Sequence, residues 1–198
     1  DPEAFLRYSD PRGMDQHRRA GAQWIARYGL ETPHKNVLVC SGAQHALTCC
    51  LTGLFRAGDR IATDELTYPG LKTLAALHGI RLAPIPMDDQ GMTPQGLDAA
   101  CRRDLIKGLY LMPGMHNPTT LRMNSQRRKD IARIAKKFSL LAIEDDAYEL
   151  TLKNTCPTMA SLLPDQSVFI AGMSKSLAAG LRVAFIAAQG PIFDTLAR

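Results

Sequence analysis

The stretch "FIAGMSKSLAAGLRVAF", residues 169–185, sets one lysine and one arginine, Lys175 and Arg182, in an otherwise small and apolar run. Charged side chains seldom enter such segments unless they are paired or used. A lysine amine can form a Schiff base with a carbonyl compound, and an arginine fork can grip a phosphate. Other segments add groups of complementary chemistry. "EDDAY" places three acids at the end of an apolar run, which is costly if they are buried unpaired. Asp145 and Tyr148 are three apart there, so a turn can aim both into one crevice. "PGMHNPTT" puts Asn117 ahead of a proline, by default a turn former. "LTYPG" offers Tyr68, which can stack on a flat ring or simply cap the core. "SGAQ" supplies a small-residue turn at Gly42, and the free amides of Ala43 and Gln44 at a helix start make an anion site.

These groups need a scaffold that gathers them, and the hydrophobic patterning supplies one. Helical period and length mark 14–29, closed by Gly29, then 43–55, 69–79, 93–103 and 125–138. Short apolar, β-branched runs mark strands at 36–40, 59–65, 80–86, 106–112, 140–146, 167–173 and 182–188. Strands separated by helices of this length predict a three-layer α/β/α fold with a mainly parallel sheet. In such sheets ligands sit beyond the carboxyl ends of the strands. All five chemistry-bearing segments follow predicted strands.

Bulk properties narrow the classes. At 198 residues and 45% hydrophobic composition, the chain is long enough for one domain with a substantial core. No apolar run approaches the ~20 residues of a membrane helix, and the start "DPEAFLRYSD" is no signal peptide, so a cytoplasmic location and no membrane partner are expected. Five cysteines without a CxxC pair read as reduced, mostly buried small hydrophobes, and five scattered histidines indicate no metal site. The net charge of +5 comes with basic pairs and triples, Arg127-Arg128-Lys129 among them, that read as solvated helix faces. An anionic small ligand explains a mild basic excess as well as a nucleic acid does, and no aromatic interleaving favours the latter.

Taken jointly, the strand-end groups match the needs of pyridoxal 5'-phosphate. Its aldehyde needs a lysine, its ring nitrogen a carboxylate, its phosphate an arginine and helix-start amides, its ring an aromatic partner, and its phenolate oxygen hydrogen-bond donors. A dinucleotide is the natural competitor in a parallel sheet, but the chain contains no GxGxxG.

With "SGAQ", "TYPG", "HNPT", "EDDAY" and "SKSLAAGLR" in this order and spacing, the sequence resembles the fold type I aminotransferases of class I/II over essentially its whole length. Within them it is most similar to the aminotransferase-like half of MocR-type regulators of the GntR superfamily, where a winged-helix DNA-binding domain precedes a domain of this kind. The resemblance implies the major domain of an aspartate aminotransferase-like fold. Lys175 would form the Schiff base, and Asp145 would pair with the ring nitrogen. Asn117 and Tyr148 would bond the phenolate oxygen, and Tyr68 would stack on the ring. Arg182, Gly42, Ala43, Gln44 and Ser174 would surround the phosphate, and Tyr8 would reach the phosphate of a partner subunit in a homodimer.

The sequence also departs from the family pattern. Gly172 stands where many relatives carry a phosphate-touching serine or threonine, leaving Ser174 to compensate. Thr120 replaces a glycine frequent after "NPT", Ala184 one common after "GLR", and His17 a usual leucine. Relatives continue into a smaller domain that carries a carboxylate-binding arginine, so residues 1–198 are expected to be the cofactor-binding large domain of a longer protein. Three functions follow from the resemblance: a sensor of a small amino compound whose DNA contacts lie in a domain outside this chain, a free-standing aminotransferase, and a dimerisation module that has lost its cofactor.

Overall fold

The computed structural model describes residues 8, 10–151 and 156–198. Seven strands form one sheet: β1 (Val37–Cys40), β2 (Arg60–Asp64), β3 (Arg81–Ile85), β6 (Ile106–Leu111), β7 (Leu141–Asp146), β8 (Ser167–Gly172) and β9 (Ala184–Ala188). Their order is β1-β9-β8-β7-β6-β2-β3. The β8–β7, β7–β6, β6–β2 and β2–β3 pairings are parallel, whereas β9 runs antiparallel to both β8 and β1. The mainly parallel sheet predicted from the alternation is therefore present. The reversal of β9 follows from its connection: only residues 173–183 separate it from β8, too few for the helix that a parallel crossover requires.

Side chains alternate across each strand, and the two faces pack against different helices. Tyr110, Ile143, Val168, Ile170 and Ile186 pack with α2 (Ala43–Leu54), α3 (Pro69–Leu77) and α7 (Gly190–Leu196). Leu109, Leu111 and Ala142 pack with α4 (Pro94–Arg103), α5 (Ser125–Lys137) and the short α6 (Met159–Leu162). At the β9 end of the sheet, Phe169 and Phe185 pack with Ile25 of α1 (Asp15–Ala26). The helix starts are chemically specified. The Thr93 hydroxyl accepts from Gly96 N–H at α4, the Asn124 side chain accepts from Arg127 N–H at α5, and Pro69 opens α3.

Four details differ from expectation. The helix expected over 14–29 ends at Ala26, and Gly29, at φ +76°, lies in the turn beyond it. The last strand starts at Ala184 instead of Arg182, because Arg182 takes a left-handed conformation (φ +50°, ψ +47°) that a strand does not admit. A two-residue ladder, β4 (Met87–Asp88) with β5 (Gly91–Met92), and α6 are too short to leave a periodic signal. Arg128 is not on a solvated face but fully buried. It donates to the carbonyls of Met123, Pro113 and Pro157 and to Glu149 Oε2 at 2.8 Å.

Candidate functional site

All strands of the sheet except β9 point the same way, so the ends of β1, β2, β6, β7 and β8 share one edge with the start of β9. A cavity of about 250 Å³ opens there. Its wall gathers Ala43, Gln44, Tyr68, Asn117, Asp145, Tyr148, Ser174, Lys175 and Arg182. These residues are separated by up to 139 positions in sequence, yet every predicted site residue except Gly42 and Tyr8 lines this one cavity. Gly42 lies against Arg182 of that wall, and Tyr8 stands fully exposed, outside the cavity wall of its own chain.

The cradle at β1 and α2 has a clear stereochemical origin. Gly42 precedes α2 at φ +91°, ψ +165°, a backbone state open to glycine. A Cβ built on it would come within 2.9 Å of Arg182 Nη2, so the missing side chain also lets the guanidinium lie against the helix start. The left-handed backbone of Arg182 turns the chain there, and its Nη1 donates to Ser174 Oγ at 3.4 Å. Two cationic sources thus converge, the guanidinium and the positive end of α2 with its free amides. Gly172 faces the same cradle. A Cβ there would meet Ala43 Cβ at an ordinary 3.6 Å, so the position has room for a side chain it does not carry.

On the opposite wall, strand parity separates the three acids of β7. Asp145 shares the face of Tyr110 and Ile143 and reaches the cavity. Glu144 and Asp146 project to the other face, beside Arg128: Glu144 Oε1 lies 3.9 Å from Arg128 Nη1, and Asp146 Oδ1 accepts from Glu149 N–H at 2.8 Å. Asp145 is 5% exposed. Its Oδ2 accepts from the Tyr110 hydroxyl at 2.9 Å, whereas its buried Oδ1 has no protein partner. Burial pushes this carboxyl up to about 6, and the Tyr110 hydrogen bond opposes the rise. An unpartnered buried acceptor costs free energy unless something donates to it. A protonated ring nitrogen entering the cavity would supply such a donor.

The remaining wall positions a flat group. Tyr68 starts α3 and donates from its hydroxyl to Gln44 Oε1 at 3.1 Å, which ties the aromatic ring to the cradle. Asn117 and Tyr148 are half-buried, Asn117 in a turn with a cis bond to Pro118. That turn is pinned by buried His116, whose Nδ1 lies 2.7 Å from Thr119 Oγ1 and whose pKa burial lowers. Lys175 is exposed in the β8–β9 connection. Leu177 and Leu181 of the same connection are exposed as well.

Sequence reasoning missed Tyr110 of β6 and Met112 just beyond that strand. Met112 lines the cavity, and Tyr110 anchors Asp145 from below. A tyrosine inside the apolar run "IKGLYL" was the available signal, because a buried hydroxyl demands a partner.

Comparison with known proteins gives this geometry its context. The family model described as aminotransferase class I and II matches residues 1–198. An uncharacterized HTH-type transcriptional regulator of Bacillus subtilis, YdeF, is 45% identical over 187 residues, covering 94% of this chain and 40% of that protein. An aromatic amino acid aminotransferase of Dictyostelium discoideum is 31% identical over 221 residues, covering 100% of this chain and 46% of that protein. Among solved structures, LysN, an α-aminoadipate aminotransferase of Thermus thermophilus complexed with N-(5'-phosphopyridoxyl)-L-leucine, superposes with a TM-score of 0.90 at 27% identity, covering 100% of this chain and 51% of that one. The chain thus spans less than half the length of these two curated relatives. The cofactor that these likenesses indicate is pyridoxal phosphate, and the orphaned acceptor, the arginine-lined cradle and the aromatic wall fit it. From its first residue to its last, this chain belongs to the class I and II aminotransferase family.

Proposed function

We propose that this chain is the pyridoxal-phosphate-binding, effector-sensing and dimerisation part of a MocR-type transcriptional regulator, with DNA contacted by a domain outside residues 1–198. The observation that carries the cofactor assignment is the buried, unpartnered Asp145 Oδ1 facing a cavity that also holds Lys175 and Arg182. The higher identity to an HTH-type regulator, 45% against 31% to an aminotransferase, favours the regulator.

When bound, the cofactor supplies an aldehyde that exchanges amines and a ring that accepts electrons from the amine's α-carbon. The residues of this chain have the following roles. Lys175 would hold the aldehyde end through its amine, which could also take and return a proton. The Asp145 carboxylate holds a proton on the ring nitrogen. Asn117 and Tyr148 donate to the phenolate oxygen, and Tyr68 covers one face of the ring. Arg182, Ser174 and the amides behind Gly42 hold the phosphate. In a homodimer, the exposed Tyr8 of each subunit would reach the other subunit's phosphate site.

A second reading, the large domain of a free-standing aminotransferase, is supported by the 31% identity to the Dictyostelium enzyme over the whole of this chain. The test common to both is the visible absorption of the purified protein with pyridoxal phosphate, compared with Lys175→Ala. A yellow band in the parent that is lost in the variant supports the assignment. No band in either overturns it. The full-length protein then separates the readings: amine-dependent change in DNA affinity without net transamination is expected of the regulator, and turnover of an amino acid with a 2-oxo acid is expected of the enzyme.

A further inference from the structure

On the face of the sheet away from the cavity, Arg128 of α5 is fully buried and lines neither the cavity nor the surface. Its guanidinium holds the two loops that carry Asn117 and Tyr148. The first loop, 113–123, leads from β6 to α5, and Arg128 grips both of its feet. Nε donates to the Met123 carbonyl at 3.1 Å, and Nη2 donates to the Pro113 carbonyl at 3.0 Å. Met123 N–H also donates to that Pro113 carbonyl, which closes the loop at its base. The second loop leaves β7 at Asp146. There Nη2 donates to Glu149 Oε2 at 2.8 Å, and Nη1 donates to the Pro157 carbonyl at 3.3 Å. Both loops therefore hang on one planar fork.

Neighbouring groups aim the loops. Asp146 Oδ1 accepts from the N–H groups of Tyr148 and Glu149 at 3.2 and 2.8 Å, a side-chain turn that sends consecutive residues in different directions. Tyr148 lines the cavity, whereas Glu149 is buried against Arg128. Glu149 Oε1 accepts in turn from Arg122 Nη2 of the first loop at 2.6 Å and from Cys156 N–H at 3.2 Å. The loops press together at Gly114, where a Cβ would collide with Glu149 Oε2 and Asp146 Oδ2. The charged groups around the guanidinium are Glu144 and Asp146 of β7 and Glu149 beyond it. Apolar packing often replaces a buried ion pair at no loss of stability. What the arginine adds is direction, because a rigid fork fixes the angle of every acceptor it binds.

We propose that Arg128 is a positioning residue for the cofactor's phenolate oxygen: through Glu149 and the Pro113 and Met123 carbonyls it holds Asn117 and Tyr148 at one fixed separation. It touches no reacting atom. Donors aimed at the phenolate favour its charged form and lower the pH at which the Lys175 nitrogen beside it loses its proton. When the fork is lost, both donors loosen together and that pH rises. The link to the phenolate rests on the function proposed above; the shared rigidity of the two loops does not.

Two measurements test it. Amide hydrogen exchange of the cofactor-free protein reads the clamp directly. In Arg128→Lys, which keeps a charge beside Glu149 but loses the fork, peptides 113–123 and 146–151 should both exchange about tenfold faster, the scale of one lost hydrogen bond to a charged group. The interiors of β6 and β7 should stay protected. Arg128→Met combined with Glu149→Gln removes the pair together and should loosen the same two peptides, so instability of one variant does not decide the matter. The second measurement is a pH titration of the yellow band with pyridoxal phosphate. Its midpoint should rise by about one unit in both variants, a tenfold change in proton affinity. Val37→Ala, a core truncation on the edge strand β1, should lower the melting temperature and leave the midpoint in place. Unchanged exchange in either loop would overturn the clamp. A midpoint that the Arg128 variants leave in place, or that Val37→Ala moves as far, would overturn the positioning role. A parent that develops no band fails the cofactor assignment instead, and the exchange rates still decide the clamp.

Discussion

The residue that most constrains the site is Tyr110, which never reaches the cavity wall. Its hydroxyl at 2.9 Å is the one protein donor to Asp145 among the described hydrogen bonds, and it works against burial, which otherwise favours the neutral acid. Cofactor binding through the ring nitrogen needs Asp145 ionised, so affinity should rise as pH climbs through about 6. Tyr110→Phe removes the donor without changing the ring. It should displace that midpoint to higher pH and weaken binding roughly tenfold near neutrality, the scale of ~1.5 kcal/mol for a hydrogen bond to a charged group. Cofactor titrations followed by absorbance from pH 5 to 8 check this, and an unmoved midpoint would remove Tyr110 from the site. Thr120 poses the opposite case, a residue that strains the fold. It is β-branched, exposed and at φ +60°, a backbone state that favours glycine. A left-handed backbone costs such a side chain about 1–2 kcal/mol, partly offset by the greater unfolded freedom of glycine. Thr120→Gly should therefore stabilise the protein by about 1 kcal/mol in urea unfolding, with the denaturant slope unchanged.

At the scale of elements, the β8–β9 connection decides the site. A parallel crossover would have carried the chain away from the strand ends; the short antiparallel return keeps both Lys175 and Arg182 at the edge where β6 and β7 deliver Asn117, Asp145 and Tyr148. The motifs of this connection were legible in sequence because their residue types are rare in apolar runs. Its reversal was not, since a period-2 pattern is the same read in either direction. Nor was the buried role of Arg128, because one arginine in "QRRKD" carries no mark that distinguishes it from its solvated neighbours. Only the three-dimensional convergence of Glu149 and three carbonyls identifies it. The same edge contains a position left small: at Gly172, the last residue of β8, a side chain would meet only Ala43 Cβ at 3.6 Å. Gly172→Ser should add a hydroxyl to the phosphate cradle and tighten pyridoxal phosphate roughly threefold to tenfold, as one hydrogen bond to a charged group warrants. Pyridoxal without the phosphate should gain nothing from the substitution, which separates a phosphate contact from general stabilisation.

For the whole molecule, placing acids in the middle of the sheet has a thermodynamic consequence. Burial raises Asp64 to about 6, Glu144 to about 8, Asp145 to about 6 and Asp146 to about 7, from ordinary values of 3.8 for aspartate and 4.5 for glutamate. Each binds its proton more tightly folded than unfolded. The stability this contributes is complete below the unfolded values and is lost as pH rises through the folded ones. His116 acts in the opposite sense, since burial lowers its pKa and folding then prefers the neutral ring as pH rises past 6.5. The surface carboxylates held low by arginine, such as Asp88 beside Arg127, are ionised in both states above pH 5 and add no slope there. Four carboxyls against His116 and Cys49, whose thiol is lowered to about 6, leave the folded state holding more protons between pH 5 and 7. The cofactor-free protein should therefore melt at progressively lower temperature across that interval, contrary to the usual optimum between about pH 5 and 8. Asp146→Asn keeps an acceptor for the Glu149 N–H and removes one titrating group, so its melting curve should be flatter with pH. Pyridoxal phosphate should flatten the parent's curve as well, by giving the Asp145 carboxylate the donor that the protein withholds from Oδ1. A melting temperature that rises from pH 5 to 7 without cofactor would show that the arginines beside β7 outweigh the burial of its acids.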